Sequence, residues 1–147
     1  MILISHRGNI LGPNPERENH PEYILEALQA GYDVEIDVWF ENEKFMLGHD
    51  EPQYEFPFEL LDKNYPKLWV HCKNMAALST LNRLDPSGNK VNYFMHESDL
   101  GVLTSKGYIW STNLFDRGIL VMPETFDKQP TETTLGICSD YIQNYKK

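Results

Sequence analysis

Four short apolar segments of this chain run directly into clusters of titratable residues, and that repetition narrows the folds open to it more than any other property. Ile2-Leu3-Ile4 leads into Ser5-His6-Arg7-Gly8, and Val34, Ile36 and Val38 alternate with Glu35, Asp37 and Trp39. Phe45-Met46-Leu47-Gly48 leads into His49-Asp50, and Leu68-Trp69-Val70 into His71-Cys72-Lys73. Apolar runs this short, or alternating with period two, are strands. In parallel α/β folds the C-terminal ends of strands converge on one rim, where groups far apart in sequence meet.

Between these segments the pattern predicts two helices. For the first, Asn19 is a cap, Pro21 suits the first turn, Ile24, Leu25 and Leu28 make an apolar face and Gly31 stops it. For the second, Asn74 is the cap, Met75, Leu78 and Leu81 the face, and Asp85-Pro86-Ser87-Gly88 the close. Polar residues 41–44 make a hairpin turn, and the stretch 51–67 holds one short helix around 58–61. Further strands are expected at 91–96, 108–111, 119–122 and 136–139, with room between them only for single helical turns near 99–105 and 131–135.

Seven strands with two full helices specify an α/β fold with a mostly parallel sheet, closed as a barrel. A full barrel takes about 250 residues and rarely fewer than about 200. The 147 residues therefore form one domain, a reduced (β/α) TIM-type barrel with several helices shortened or missing. Missing helices leave outer strand faces for a second copy of the chain to cover, a homo-oligomer.

A hydrophobic share of 41% with 24% charged residues is that of a globular chain and excludes disorder. The net charge of −9, with no Lys/Arg cluster, excludes nucleic acid and other polyanions as partners. A small phosphate-bearing ligand stays open, because a cation and one or two basic residues override a diffuse field at short range. No segment approaches the roughly 20 apolar residues of a membrane span. The opening apolar run is far shorter than a signal-peptide core, so a cytoplasmic location is expected. Cys72 and Cys138 lie in apolar stretches and are expected as free thiols.

Glu35 and Asp37, two apart on a strand, project to one side, and a divalent cation such as Mg²⁺ or Ca²⁺ relieves their repulsion. His6 and His49 offer imidazoles suited to proton transfer, Arg7 a fork for a phosphate oxygen, and Lys73 a second positive point. Each has a plainer reading. Alone, the two carboxylates would be a solvated strand face and the histidines structural hydrogen-bonders; the coincidence of all of them at strand ends favours a site. For His96, His20 and the three tryptophans, packing or surface roles are favoured, with Trp110 near enough to a strand end to line a pocket.

The ordered set His6-Arg7-Gly8, Glu18-Asn19 before a helix, Gly31, Glu35-x-Asp37 and His49-Asp50 after a hairpin resembles the glycerophosphodiester phosphodiesterase family, within the superfamily of phosphatidylinositol-specific phospholipase C. The match covers about the first 50 residues, and Ser139-Asp140-Tyr141 is similar to the family's last strand. The resemblance implies a (β/α) barrel, a divalent metal on Glu35 and Asp37, and catalytic histidines His6 and His49 acting on a small phosphodiester held by Arg7 and Lys73. The family's Glu-x-Lys at the next strand end is here His71-Cys72-Lys73. An imidazole as third ligand moves the preference toward Mn²⁺ or Zn²⁺, or abolishes metal binding. Beside hydrolysis of a glycerophosphodiester-like substrate stand two alternatives. One is hydrolysis of another phosphate ester; the other is a catalytically degenerate barrel that binds a phosphorylated ligand or serves as an assembly subunit.

Overall fold

The computed structural model describes residues 1–57 and 63–146. Its strands are β1 (Ile2–His6), β2 (Asp33–Glu41), β3 (Lys44–Leu47), β4 (Tyr54–Glu55), β5 (Leu68–Cys72), β6 (Asn92–Phe94), β7 (Val102–Leu103), β8 (Ile109–Ser111), β9 (Ile119–Val121) and β10 (Gly136–Ser139). Two α-helices lie wholly within the described residues, α1 (Pro21–Gln29) and α2 (Met75–Leu84), with 3-10 turns at Tyr65–Lys67 and Ile142–Tyr145.

Seven strands are parallel and pair in the order β6, β5, β2, β1, β10, β9, β8. The order follows the chain around a barrel, with β6 and β8 not paired to each other at its seam. The sheet is an open, strongly curled half-barrel rather than a closed cylinder. Curling brings the seam together through side chains: Phe94 of β6 meets Trp110 of β8 at 4.7 Å between ring centroids. Ser105 laces it further, donating its N–H to the Tyr93 carbonyl while its hydroxyl accepts from Tyr93 N–H and donates to Val91 O.

The two faces of the sheet hold different cores. Outside, Val34, Ile36 and Val38 of β2 with Leu68 and Val70 of β5 lie under Ile24, Ala27 and Leu28 of α1 and Ala77 and Leu81 of α2. Burying each large aliphatic of this set contributes about 1.5–3 kcal/mol. Inside the curl, Ile4, Trp69, Phe94, Trp110, Ile119, Val121 and Cys138 fill the space beneath the rim. Trp110 therefore packs the interior at 4% exposure. Both cysteines are buried free thiols, and burial pushes Cys72 up to about 12.

Asn42 (φ 49°) and Glu43 (φ 63°) close the β2–β3 hairpin as the two left-handed residues of a type I′ turn, which matches the twist of its strands. β2 pairs with β1 only through Glu35, and from Val38 onward β3 takes over that edge, so the hairpin rises above the rim. Two details differ from expectation. Residues 99–105 contain the short antiparallel strand β7 instead of a helical turn, because Val102 and Leu103 pair with Trp110 and Ile109. Asn19 is not the cap of α1: it sits at φ 62° with its side chain turned to Asp37, and His20 Nδ1 accepts the Glu22 N–H instead. Asn74 caps α2 by accepting from Ala77 N–H. The short helix expected at 58–61 lies outside the described residues.

Candidate active site

The turn after β1 builds one wall of the site. Asn9 N–H donates to the His6 carbonyl across Arg7 (φ 56°) and Gly8 (φ 94°), again a type I′ arrangement. A Cβ at Gly8 would collide with the Tyr23 ring, so only glycine fits. Arg7 bears a left-handed backbone conformation that costs an arginine about 1–3 kcal/mol. What the turn achieves is to hold His6, Arg7 and Asn9 on the same side of the rim.

The second wall is β2 with β5. Glu35 and Asp37 both point inward, at 3% and 0% exposure, and β5 sets His71 opposite Asp37 in the ladder. One ligand atom from each of Glu35, Asp37 and His71 lies within 4.8 Å of the others. His71 Nδ1 is 3.0 Å from Asp37 Oδ1 and 3.8 Å from Glu35 Oε1, while its Nε2 is 3.4 Å from the His96 carbonyl. The His96 ring stacks on that of His71 with centroids 4.4 Å apart. Lys73 Nζ, one turn of the pleat further, is 3.7 Å from Asp37 Oδ1.

The remaining contacts form a chain through the site. Arg7 Nη1 donates to Glu18 Oε2 at 3.1 Å, and Arg7 Nε lies 3.0 Å from Asp37 Oδ2, an ion pair whose N–H is not aimed along the contact. Asn19 donates to Asp37 Oδ2 and accepts the Asp37 N–H. On the far side, His6 Nδ1 is 2.7 Å from Asp140 Oδ1 and His6 Nε2 is 3.9 Å from Glu35 Oε2. A carboxylate accepts only, so Nδ1 carries the proton toward Asp140 and Nε2 faces Glu35.

These surroundings set the charge states. Burial, reinforced by the Asp37 charge, raises the Glu35 carboxyl above its ordinary value. Burial would raise Asp37 too, yet the His71 hydrogen bond and the Arg7 charge hold it well below the usual carboxylate range. For His6, burial is outweighed by the Asp140 hydrogen bond and the Glu35 charge, and the net shift is upward. Burial and the nearby Arg7 lower His49, and burial with the neighbouring His71 lowers His96.

Six of the seven residues singled out by sequence therefore gather within contact of one another: His6, Arg7, Glu35, Asp37, His71 and Lys73. The seventh, His49, stands on the hairpin rim with its Nδ1 2.7 Å from Asp50 Oδ1. Gly48 makes that position, since a Cβ there would run into the Glu51 carbonyl, and its own carbonyl accepts from Trp39 Nε1. His49 shares with His71, Lys73, His96 and Glu97 a cavity of about 290 Å³. A larger groove of about 810 Å³, between Ile10–Asn14, Tyr32 and Lys146, lies apart from these groups.

Three participants were not among the candidates. Asp140 was visible only as a strand-end residue, Glu18 as part of a helix entry, and Asn9 gave no signal beyond a turn. Asp140 is marked by partners more than 130 positions away and Glu18 by Arg7 and Asn9 across the intervening loop, pairings that a single sequence does not reveal.

The donor set fits a divalent cation. Glu35 Oε2 is buried with no hydrogen-bond partner, the orphan acceptor that a cation would satisfy. The four carboxylates Glu18, Glu35, Asp37 and Asp140 face two permanent cations, Arg7 and Lys73, leaving two negative charges in a largely dry site. Two oxygens and one imidazole nitrogen are a donor set for a divalent metal ion.

No known family's sequence model, no curated protein and no solved structure matches the chain. What the molecule shows by itself is the arrangement of an α/β-barrel enzyme: a curled parallel sheet with a metal-binding-capable Glu/Asp/His cluster at the C-terminal rim. No helix among the described residues is long and apolar enough to cross a membrane.

Proposed function

We propose that the chain is a metal-dependent phosphodiesterase acting on a small, glycerophosphodiester-like substrate. The observation that carries this reading is the buried Glu35–Asp37–His71 trio flanked on one side by the Asp140-held His6 and on the other by His49 and Lys73. A divalent cation held by Glu35, Asp37 and His71 supplies Lewis-acid stabilisation of phosphoryl charge. Lys73 Nζ makes no hydrogen bond among the described residues and is free to take a phosphate oxygen; Arg7, tied to Glu18 and Asp37, adds its remaining guanidinium nitrogen.

His6, with Nδ1–H fixed on Asp140, and His49 form the general acid/base pair, one taking the proton of the attacking hydroxyl and the other protonating the departing alcohol. The departing alcohol enters the adjoining cavity, which His49 lines. That cavity, about 290 Å³, holds roughly ten water volumes at ~30 Å³ each, enough for a compact alcohol and too little for a lipid chain. We place the protein in the cytoplasm, as a single domain with no nucleic-acid partner, and leave a second copy as the cover for the bare strand faces.

One observation favours a second reading. Asp37 is already compensated by Arg7, Lys73, Asn19 and His71, so the barrel could bind a phosphorylated ligand without turnover. Assay of bis(p-nitrophenyl) phosphate and natural glycerophosphodiesters after chelation and re-addition of Mg²⁺, Ca²⁺, Mn²⁺ or Zn²⁺ separates the two. Turnover restored by one cation supports the enzyme; phosphate binding with no turnover under any cation supports the binding protein.

A further inference from the structure

We propose that Asn9 is a positioning residue: its side-chain amide, by donating to Asp140 and Glu18 together, locks the His6–Asp140 pair to the Arg7–Glu18 pair and keeps His6 Nε2 directed at the reaction centre. The inference rests on the diesterase reading for its effect on turnover, and on geometry alone for its effect on His6.

Asn9 is 0% exposed and all its side-chain polar atoms are engaged. Nδ2 donates to Asp140 Oδ1 at 2.8 Å and to Glu18 Oε1 at 2.9 Å, and Oδ1 accepts the Asn14 N–H at 3.0 Å. Asp140 Oδ1 is the same oxygen that His6 Nδ1 meets at 2.7 Å. Rotation of the Asp140 carboxylate would therefore break two bonds at once, and the imidazole is aligned by an oxygen that is itself held.

The other arm of the amide acts on Glu18, whose second oxygen takes Arg7 Nη1. Without the amide, two carboxylates would face each other across a buried gap with no donor between them. Only a group with two N–H bonds on one nitrogen, close to the backbone, spans both. The left-handed turn at Arg7 and Gly8 is what brings so short a side chain back over the strand end it has just left. Aspartate has the same shape and no donor; serine has one donor and reaches at most one carboxylate.

The test compares wild type with Asn9→Ala and Asn9→Asp in the full chain. Residues that orient a catalytic ligand typically account for 10- to 100-fold, so Asn9→Ala should lower kcat by about that factor with KM little changed, and Asn9→Asp by more. The ¹⁵N shifts of His6 should report one neutral tautomer, proton on Nδ1, in wild type and a mixture in both variants. Circular dichroism and thermal melting establish that the variants fold; if Asn9→Ala does not, Asn9→Ser carries the same comparison. Unchanged kcat in a folded variant, or a His6 tautomer indifferent to the substitution, overturns the proposal. If wild type turns over no diester, the diesterase reading fails, and the tautomer measurement still decides the role of Asn9.

Discussion

The two sides of the barrel are built to different standards. In the half of the sheet from β1 through β6, α1 and α2 pack on β2, β5 and β6, and the outer core of Ile24, Ile36, Leu68 and Leu81 is at most 2% exposed. From β8 through β10 the strands are three or four residues long, no α-helix follows them among the described residues, and Leu114, Phe115 and Phe126 stand 43–48% exposed on the connecting loops. The site follows the same division. His6, Arg7, Glu35, Asp37, His71 and Lys73 come from the helix-backed side, and Asp140 alone reaches in from the other. A charged cluster buried in a small domain needs a rigid frame, and the frame has been kept where the charges are.

The sharpest way to break this division is to remove the two proton-handling groups. His6→Ala and His49→Ala should each lower diester kcat by about 10²- to 10⁴-fold while leaving the far-ultraviolet circular dichroism unchanged. Retained turnover in both would detach the chemistry from this rim. Next in size is the frame itself: Leu81→Ala, in α2 against the sheet, should cost about 2–5 kcal/mol in urea unfolding.

Asp85 joins α2 to β6 by accepting the N–H groups of Asn89, Lys90 and Val91. Asp85→Ala should cost about 1–3 kcal/mol by leaving those donors unpaired. These bonds outweigh burial and lower its carboxyl in the folded state. The stabilisation is thus complete above the ordinary aspartate range and lost as pH falls through the lowered folded value, so wild type and variant should converge in strongly acidic urea titrations. The smallest effect belongs to the thin side, where Phe115→Ser should change stability by no more than about 0.5 kcal/mol. A large loss there would mean that Phe115 is covered in solution, and sedimentation at increasing concentration would show by what.

The same division governs what was legible in the sequence. β2 could be read to within a residue because alternation of Val34, Ile36 and Val38 with Glu35 and Asp37 reports two faces with different neighbours. α1 and α2 carried their apolar faces and stop signals openly. β4 and β7, two residues each, have too few positions to show a period, and the helical turn expected at 99–105 lost to pairing with β8. Asn19 reads as a cap by type, yet burying Asp37 without its amide would cost more than the cap contributes, so His20 took that place. Glu18 and Asp140 could be seen as parts of a pattern but not as members of the site, and Asn9 not at all, because their roles lie in contacts across up to 134 positions of sequence.

The pairing of Glu35, whose buried Oε2 has no hydrogen bond, with Asp37 and His71 is most directly tested by calorimetric titration of chelator-treated protein with Mg²⁺, Mn²⁺, Ca²⁺ and Zn²⁺, beside Glu35→Gln. Glu35 has a raised carboxyl, so its ionised form burdens the folded state as pH rises through that value, and a bound cation relieves the burden. Wild type should bind one divalent ion per chain with a matching rise in melting temperature, and Glu35→Gln should lose both while melting higher than wild type in chelator. Equal binding by both proteins, or none by wild type with any of the four ions, would contradict a metal centre on these residues.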